Sequence, residues 1–166
     1  MYRDYRRVQG YPDYIISNYG EVYSTFKYGT CWRELKPNID KYGYKKVVLC
    51  NNGIRKDATI HALVGNAFVG LREGELTFDH EDQNKLNNRA DNIRLATKSE
   101  QTINQKINKS NTSGEKYIST HFKPGYEYYH IQIKRNGKHV FRKSLNKKKY
   151  TIEDAVKVRD DFLLTY

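Results

Sequence analysis

A carboxylate and an imidazole stand side by side in Asp79-His80, directly after the apolar residues 76–78. The apolar residues predict a β-strand, and the polar residues 81–92 that follow predict a loop. At the mouth of such a loop, a carboxylate and an imidazole can together hold one divalent metal ion and activate one water molecule. This combination is the minimum needed to hydrolyse a phosphodiester bond.

The elements that must position this pair follow from the spacing of the apolar residues. A second strand is predicted at 93–97 and a polar helix at 98–108, while apolar residues at helical spacing predict a short helix at 61–68. In a regular strand, neighbouring side chains point to opposite faces. Asp79 and His80 can therefore serve one phosphate only if the strand ends there and the loop reorients them.

The positive charge of the chain is concentrated in one stretch. The net charge is +11, and residues 105–150 hold twelve of the 30 basic residues but only two of the 19 acidic residues. This stretch alone carries +10, which favours a polyanion as partner because clustered basic residues release the counterions condensed on nucleic acids. The alternative is an ordinary solvated basic surface.

Composition argues against several other classes of protein. The sequence has no stretch of about 18 apolar residues and no basic-then-apolar leader, so we expect a cytoplasmic protein that is not secreted and has no membrane partner. Cys31 and Cys50 stand far apart without a CxxC pair, which excludes a structural zinc site and indicates a reducing compartment. No self-complementary apolar patch is evident, and a monomer is expected.

The N-terminal residues predict a small β module. Residues 14–17 and 21–24 flank the turn Asn18-Tyr19-Gly20 and predict a hairpin, and two further strands are predicted at 45–49 and 55–60. Only 37% of the chain is apolar, so small sheets with one buried face are expected. Most of the aromatic residues are assigned to the core of these sheets.

The C-terminal residues predict three strands covered by one helix. Asn136-Gly137 is a strong turn signal that joins the last two strands, and an acidic first turn begins the helix. The three strands and the helix are predicted at 117–122, 127–135, 138–145 and 151–164.

Strand alternation predicts which side chains of this unit face solvent. Tyr129, Ile131 and Ile133 should face the helix. The opposite face and its basic neighbours then form a surface where Arg and Gln can contact base edges and Lys can contact phosphates. The residues expected to bind DNA here are His130, Gln132, Lys134, Arg135, Arg142 and Lys143. The alternative is a hydrated sheet face without a partner.

Three segments of the chain resemble known families, and together they span nearly all of it. Residues 10–24, GYPDYIISNYGEVYS, closely resemble the NUMOD4 motif found beside phage and viral HNH nucleases. Residues 61–104, with Asp79-His80 and Asn92 in order, resemble the HNH core of homing endonucleases of the phage intron type. Residues 111–166, which open with NTSG, resemble an AP2-type DNA-binding domain.

The resemblance implies an α+β protein with three domains. These would be a NUMOD4-like β module at 1–55, a ββα-metal HNH nuclease core at 56–108 and an AP2-like three-stranded sheet with one helix at 109–166. The implied activity is that of a site-specific endonuclease of a phage or large virus. It would cut double-stranded DNA with a divalent metal, Mg²⁺ or Mn²⁺, and without zinc.

The resemblance also implies roles for individual residues. His80 would be the general base, Asp79 a metal ligand and Asn92 the central Asn that bonds the loop backbone. The family commonly has Asn or His where this chain has Gln101, whose carbonyl reaches one methylene further. Gln101 is therefore expected to bind the metal directly or through water, with Asn104, on the same helix face, as a substitute.

Further DNA contacts are expected from Lys45, Lys46 and Arg94. The family usually has Arg where this chain has Ala62, which weakens a DNA-contact role for that turn, and His61 is assigned a structural role. Two alternatives stay open. One is a catalytically inactive DNA-binding protein derived from such a nuclease, and the other is an RNA-binding protein, which would leave the carboxylate–imidazole pair unexplained.

Overall fold

The computed structural model describes residues 2–25 and 31–165. The chain divides between Asn104 and Gln105 into an N-terminal unit and a C-terminal unit. The N-terminal unit combines small antiparallel sheets with short helices, and the C-terminal unit combines one antiparallel sheet with one helix. Each has its own apolar core, in agreement with the predicted α+β class. Within the described residues, no helix has both the length and the apolar character needed to cross a bilayer.

The N-terminal unit begins with a four-stranded antiparallel sheet. Its strands, in spatial order, are β1 (Tyr5–Val8), β2 (Tyr11–Ser17), β3 (Val22–Thr25) and β4 (Trp32–Glu34). The predicted hairpin is confirmed, since β2 and β3 pair on either side of the turn at 18–20. Gly20 closes this turn with a φ of +85°, a left-handed conformation that favours glycine.

A second antiparallel sheet leads into the first helix. The sheet contains β5 (Asn38–Ile39), β6 (Lys45–Asn51) and β7 (Ile54–Thr59). β7 is followed directly by α1 (Ile60–Val64), which continues as a π-helical turn over Gly65–Val69. The helix predicted at 61–68 is thus confirmed, with a wider turn in its second half.

The predicted strand–loop–strand–helix unit completes this part of the chain. It consists of β8 (Thr77–His80), β9 (Ile93–Ala96) and α2 (Lys98–Asn104), with a 3₁₀ turn just before β9. α2 is shorter than the predicted 98–108. Ile107, an apolar residue beyond its end, is exposed, so a longer helix would gain no packing there.

The hydrogen-bonded ladder of the β8–β9 hairpin runs further than the sequence suggested. Asp79 lies opposite Arg94, and His80 lies opposite Ile93. β8 ends with this pair, as predicted, but the ladder includes both residues, so the expectation that the loop reorients them is wrong. Because β8 stays regular, His80 shares the buried face of the strand with Phe78, and Asp79 takes the opposite face.

One apolar core joins all the sheets and α1 of the N-terminal unit. The expected boundary near residue 55 has no counterpart in this packing, because residues on both sides of it fill the same core. The division into a NUMOD4-like and an HNH module stays a prediction. The buried core residues are Val8, Ile16, Val22, Val47, Leu49, Ile60, Leu63, Val64, Phe78 and Ile93.

The C-terminal unit has the predicted architecture of three antiparallel strands and one helix. The elements are β10 (Ile118–Lys123), β11 (Tyr126–Arg135), β12 (Lys138–Asn146) and α3 (Ile152–Thr165). The buried core between sheet and helix contains Ile118, Ile131, Leu145 and Ala155. The assignment of this unit as an AP2-like domain stays a prediction.

Gly65 is expected to tolerate no side chain. A Cβ at this position would lie 2.4 Å from Cδ1 of Phe78, while the backbone has ordinary helical angles, so overlap and not conformation is the obstacle. Gly65→Ala should lower the free energy of unfolding by about 1–3 kcal/mol, measured by denaturant unfolding. Asn66→Ala in the same turn is the control and should stay within about 0.5 kcal/mol of the parent. Equal stability of the two variants would contradict this packing.

Candidate active site

The α2 side of the β8–β9 hairpin holds a carboxylate between two nitrogen donors. Nδ2 of Asn104 donates to Oδ2 of Asp79 at 2.9 Å and to the backbone carbonyl of His80 at 2.8 Å. Nη2 of Arg94 lies 3.5 Å from the same Oδ2. The Asp79 side chain is 20% exposed, so the carboxylate is held in place and still reachable from solvent.

Gln101 lies on the same face of the hairpin, further from the loop. Its side-chain amide contacts the hydroxyl of Thr77, two residues before Asp79 on β8. Among the expected metal ligands, the structure brings Asp79 and Asn104 into contact and places Gln101 beside them. The residue expected to act only as a substitute is therefore the one that reaches the carboxylate.

The side chains on this face offer only oxygen atoms as metal ligands. They are the carboxylate of Asp79 and the amide oxygens of Asn104 and Gln101. The amide nitrogens of both residues face β8, and Oδ1 of Asn104 accepts a hydrogen bond from Nε2 of Gln83 at 3.4 Å. An ion shared by Asp79 and Asn104 would therefore require the Asn104 amide to turn its oxygen toward the carboxylate. Oxygen donors suit Mg²⁺ or Mn²⁺, and Mg²⁺ commonly keeps several water ligands when the protein supplies few. In the described part of the chain, no three His, Cys, Asp or Glu side chains stand together as a metal site. The donor set therefore fits a hydrated divalent ion held by few protein ligands.

His80 occupies the opposite face of the hairpin and packs against two rings. The residue is 4% exposed, and its ring centroid lies 5.1 Å from that of His61 and 6.0 Å from that of Tyr44. Burial holds the pKa of His80 below its usual value, against the opposing effect of a hydrogen bond with Asn88. The imidazole is therefore neutral near pH 7, which is the form that a general base requires.

His61 is held neutral by the same cluster. Burial is the main cause that lowers its pKa to about 4, and neighbouring His80 and Arg72 act in the same direction. Its Nδ1 is buried and accepts no hydrogen bond from the described residues. The ring lies 5.0 Å from Tyr44 between centroids. This packing is consistent with the structural role expected for His61.

Asn92 connects the loop to the start of β9. Its Oδ1 accepts the backbone N–H of Asp82 at 3.0 Å, and its Nδ2 donates to the Asp82 carboxylate at 2.9 Å. Nδ2 also donates to the backbone carbonyl of Asn87 at 2.8 Å. These are contacts of the kind that the resemblance implies for the central Asn of the motif.

Sequence reasoning missed two residues that contact His80. Tyr44 comes from the turn between β5 and β6, and no sequence pattern links it to the hairpin. Asn88 lies in the polar loop between β8 and β9, and its Oδ1 lies 3.2 Å from Nε2 of His80. The only sequence signal for this contact is that Asn88 belongs to the loop that connects β8 to β9 and must pass close to the end of β8.

The outer face of the C-terminal sheet carries four of the expected DNA-binding residues. His130, Gln132 and Lys134 alternate with buried residues such as Ile131 on β11, so they point away from α3. Arg142 lies opposite Gln132 and belongs to the same face.

Lys143 and Arg135, also expected to bind DNA, do not lie on the outer face of the C-terminal sheet. Lys143, expected as a basic neighbour of the outer face, pairs with Ile131, whose side chain is buried beneath α3, so Lys143 lies on the α3 side of the sheet with its own side chain exposed. The reason is register, since successive residues of a strand alternate between faces. The guanidinium of Arg135 lies over the ring of Tyr117, 5.8 Å from its centroid.

Two of the basic residues expected to contact DNA from the N-terminal unit already have acidic partners. Lys46 forms an ion pair with Asp57, and Arg94 forms one with Asp79. Lys45 is half-buried in β6. A DNA phosphate would have to compete with these carboxylates for Lys46 and Arg94.

Comparison with known proteins identifies the segment that carries the site. The HNH endonuclease family matches residues 58–102, from the end of β7 into α2. The H-N-H endonuclease F-TflII of Escherichia phage T5 is 34% identical over 113 residues, which is 67% of this chain and 56% of that protein. The DNA endonuclease I-HmuI of Bacillus phage SP01 is 38% identical over 109 residues, which is 65% of this chain and 56% of that protein.

A solved structure is similar as well. It concerns DNA binding and cleavage by the HNH homing endonuclease I-HmuI, and it shares 39% sequence identity with a TM-score of 0.55. The match covers 61% of this chain and 57% of that one. The chain thus spans little more than half the length of these relatives. It contains an HNH endonuclease domain at residues 58–102 and has homologues among the phage homing endonucleases.

Proposed function

We propose that the protein is a metal-dependent, site-specific DNA endonuclease that acts in the cytoplasm of the host cell of a phage or virus. One observation carries the proposal. In a segment that matches the HNH family, a buried neutral imidazole and a carboxylate–amide pair meet at the loop end of one hairpin. These are the base and the oxygen ligands that phosphodiester hydrolysis with a divalent metal needs.

In the proposed mechanism, His80 accepts a proton from the attacking water. Asp79 and Asn104 would hold a divalent metal, Mg²⁺ or Mn²⁺, with Gln101 close enough to contribute directly or through water. When bound, the metal supplies positive charge that stabilises the departing 3′ oxygen. Arg94 restrains the carboxylate through its ion pair.

The opposite orientation of Asp79 and His80 limits how a substrate can approach. A regular strand keeps the two side chains on different faces, so neither can turn toward the other without breaking the ladder. Both residues stand at the loop end of β8. The scissile phosphodiester is therefore proposed to lie across that end of the hairpin, close to both residues.

The C-terminal unit is proposed to bind double-stranded DNA as part of a monomeric enzyme. Residues 105–150 carry most of the excess positive charge, and this unit presents Gln132, Lys134 and Arg142 on one outer sheet face. Lys can contact phosphates there, and Arg and Gln can contact base edges. The AP2-like and NUMOD4-like assignments of the flanking segments belong to this proposal.

The experiment that tests the proposed activity is nicking of plasmids that contain candidate target sites, with Mg²⁺ or Mn²⁺. Asp79→Ala and His80→Ala should each reduce cleavage by roughly 10²-fold or more, because each removes a metal ligand or the base. DNA affinity should change little in a gel-shift assay. Glu73→Ala, which removes an exposed acid of the same unit, is the control. Cleavage by both site variants at the parent rate would discard the mechanism.

Metal titration measures how much each of the two amide residues, Asn104 and Gln101, contributes to metal binding. Asn104→Ala should raise the Mg²⁺ concentration needed for half-maximal cleavage by roughly tenfold or more. Of the two amides, only that of Asn104 lies within hydrogen-bond distance of Asp79, where its oxygen could turn to the same ion. Gln101→Ala should have a smaller effect. Unchanged metal dependence in both variants would show that neither amide binds the ion.

The acid limb of the pH–rate profile should have its midpoint at a lower pH than that of a free imidazole. A base must be neutral, and burial lowers the pKa of His80, so the neutral form persists below the usual value of 6.5. Cleavage should be lost only as the pH falls through this lowered pKa. Single-turnover rates over about pH 5 to 8 measure the limb. A midpoint at or above 6.5 would contradict the assignment.

Charge reversal on β12 distinguishes the two faces of the C-terminal sheet. Arg142→Glu should weaken DNA binding by roughly tenfold or more and reduce the slope of log affinity against log salt. Lys143→Glu is the matched control, since the same charge change one residue away falls on the α3 side. Equal losses in both variants would argue for nonspecific charge and against contact through the outer face.

A further inference from the structure

We infer that Asn88 is a positioning residue that fixes His80 as the Nε2–H tautomer, and that the turn at residues 18–20 holds Asn88 in place. The basic atom of the site is then Nδ1. The catalytic meaning of this inference depends on the proposed function, but the tautomer itself does not.

The orientation of the Asn88 amide follows from its surroundings. Asn88 is 3% exposed, and its Nδ2 faces two backbone carbonyls, that of Leu86 at 3.1 Å and that of Lys85 at 3.5 Å. Carbonyl oxygens can only accept hydrogen bonds, so the amide nitrogen has to be on this side. Oδ1 is thereby directed at Nε2 of His80, 3.2 Å away.

This orientation decides where the proton of His80 resides. An amide oxygen offers lone pairs and no proton, so Nε2 must donate to it. In the neutral ring the other nitrogen, Nδ1, then carries the lone pair. The described residues contribute no hydrogen bond to Nδ1. It remains available to take a proton from water.

The turn between β2 and β3 packs directly on Asn88. A Cβ on Gly20 would lie 3.0 Å from Cβ of Asn88 and 3.1 Å from its backbone carbonyl oxygen. In the same turn, the backbone carbonyl of Asn18, a residue that is 7% exposed, accepts a hydrogen bond from the backbone N–H of Ala90 at 2.8 Å. Tyr19 lies beneath the guanidinium of Arg89, 4.5 Å from ring centroid to Cζ. Three consecutive residues of one turn thus hold the three consecutive loop residues 88–90.

This arrangement gives the N-terminal hairpin a role in the site itself. The polar, largely exposed loop between β8 and β9 is also secured by Asn92 at one end and by Lys85, whose Nζ donates to the backbone carbonyl of Tyr42 at 2.8 Å. Close contact at Gly20 restricts the position of Asn88, and Asn88 in turn restricts the ring of His80. A hairpin far away in sequence therefore controls which nitrogen is basic.

Nitrogen-15 NMR of the imidazole side chains tests the tautomer directly and needs no substrate. The parent protein should show His80 with a protonated Nε2 and a bare, pyridine-type Nδ1 near pH 7. Asn88→Ala removes the acceptor and should populate both tautomers, with single-turnover cleavage reduced roughly tenfold or more. A parent His80 protonated on Nδ1, or an unchanged tautomer and rate in Asn88→Ala, would overturn the inference.

Asn88→Asp provides a readout that a purely structural role would not move. A carboxylate oxygen accepts the same Nε2 proton as the amide oxygen, so this variant should keep His80 as the single Nε2–H tautomer in the nitrogen-15 spectrum, in contrast to Asn88→Ala. Mixed tautomers in a folded Asn88→Asp variant would count against the contact.

Two glycine variants test the role of the turn. A Cβ in Gly20→Ala meets Asn88 and also Cγ2 of Ile60, 3.0 Å away, so the His80 tautomer is the readout that reports the contact with Asn88. The variant should give mixed His80 tautomers and cleavage reduced roughly tenfold. Gly10→Ala is the control, because Gly10 also has a positive φ, +75°, but a Cβ there meets nothing within 4 Å. Backbone strain is common to both variants, so a difference between them reports the close contact. A single tautomer and full rate in Gly20→Ala would remove the turn from the inference.

The tautomer assignment and the proposed function can fail separately. If the parent shows the expected tautomer but no cleavage, the proposed function fails and the tautomer assignment stands.

Discussion

The antiparallel pairing of β8 with β9 decides where each group of the site lies. Because the ladder passes through Asp79 and His80, the carboxylate faces α2 and the imidazole faces the core. The oxygen ligands therefore collect on the partly open side and the proposed base on the enclosed side. Burial then keeps the imidazole neutral, while the carboxylate stays near solvent and its restraining donors.

The local patterns of the chain were sufficient to predict most of the elements. Alternating apolar residues and the Asn-Gly turn identified the C-terminal sheet, and the helical stripe identified α3, because these signals lie within a few residues of each other. The face of Lys143 follows from the register of β12, in which a shift of one residue moves a side chain to the other face, and the sequence alone did not fix that register. Asp79 and His80 were expected to be reoriented by the loop, since sequence alone did not reveal how far the ladder extends.

Contacts between segments that are distant in the chain could not be predicted from the sequence. Tyr44 beside His80 and Gly20 beside Asn88 depend on how two sheets and a loop pack together, and neither pair has a spacing that marks it. Likewise, the choice between Gln101 and Asn104 as neighbour of Asp79 depends on where α2 leaves the hairpin. One turn of helix brings both amides to the same side, and only the tertiary structure distinguishes their reach.

The shared core of the N-terminal unit has a consequence for how such proteins can recombine. Because strands before and after residue 55 bury their side chains together, a gene fragment that began at the family match would encode a hairpin and helix without half of their apolar support. A crossover between Asn104 and Gln105 would instead leave both hydrophobic interiors intact. Exchange of the C-terminal unit is thus the evolutionary change that this architecture permits at least cost. Under the proposed DNA-binding role of that unit, such an exchange would change the DNA target and leave the proposed active site intact.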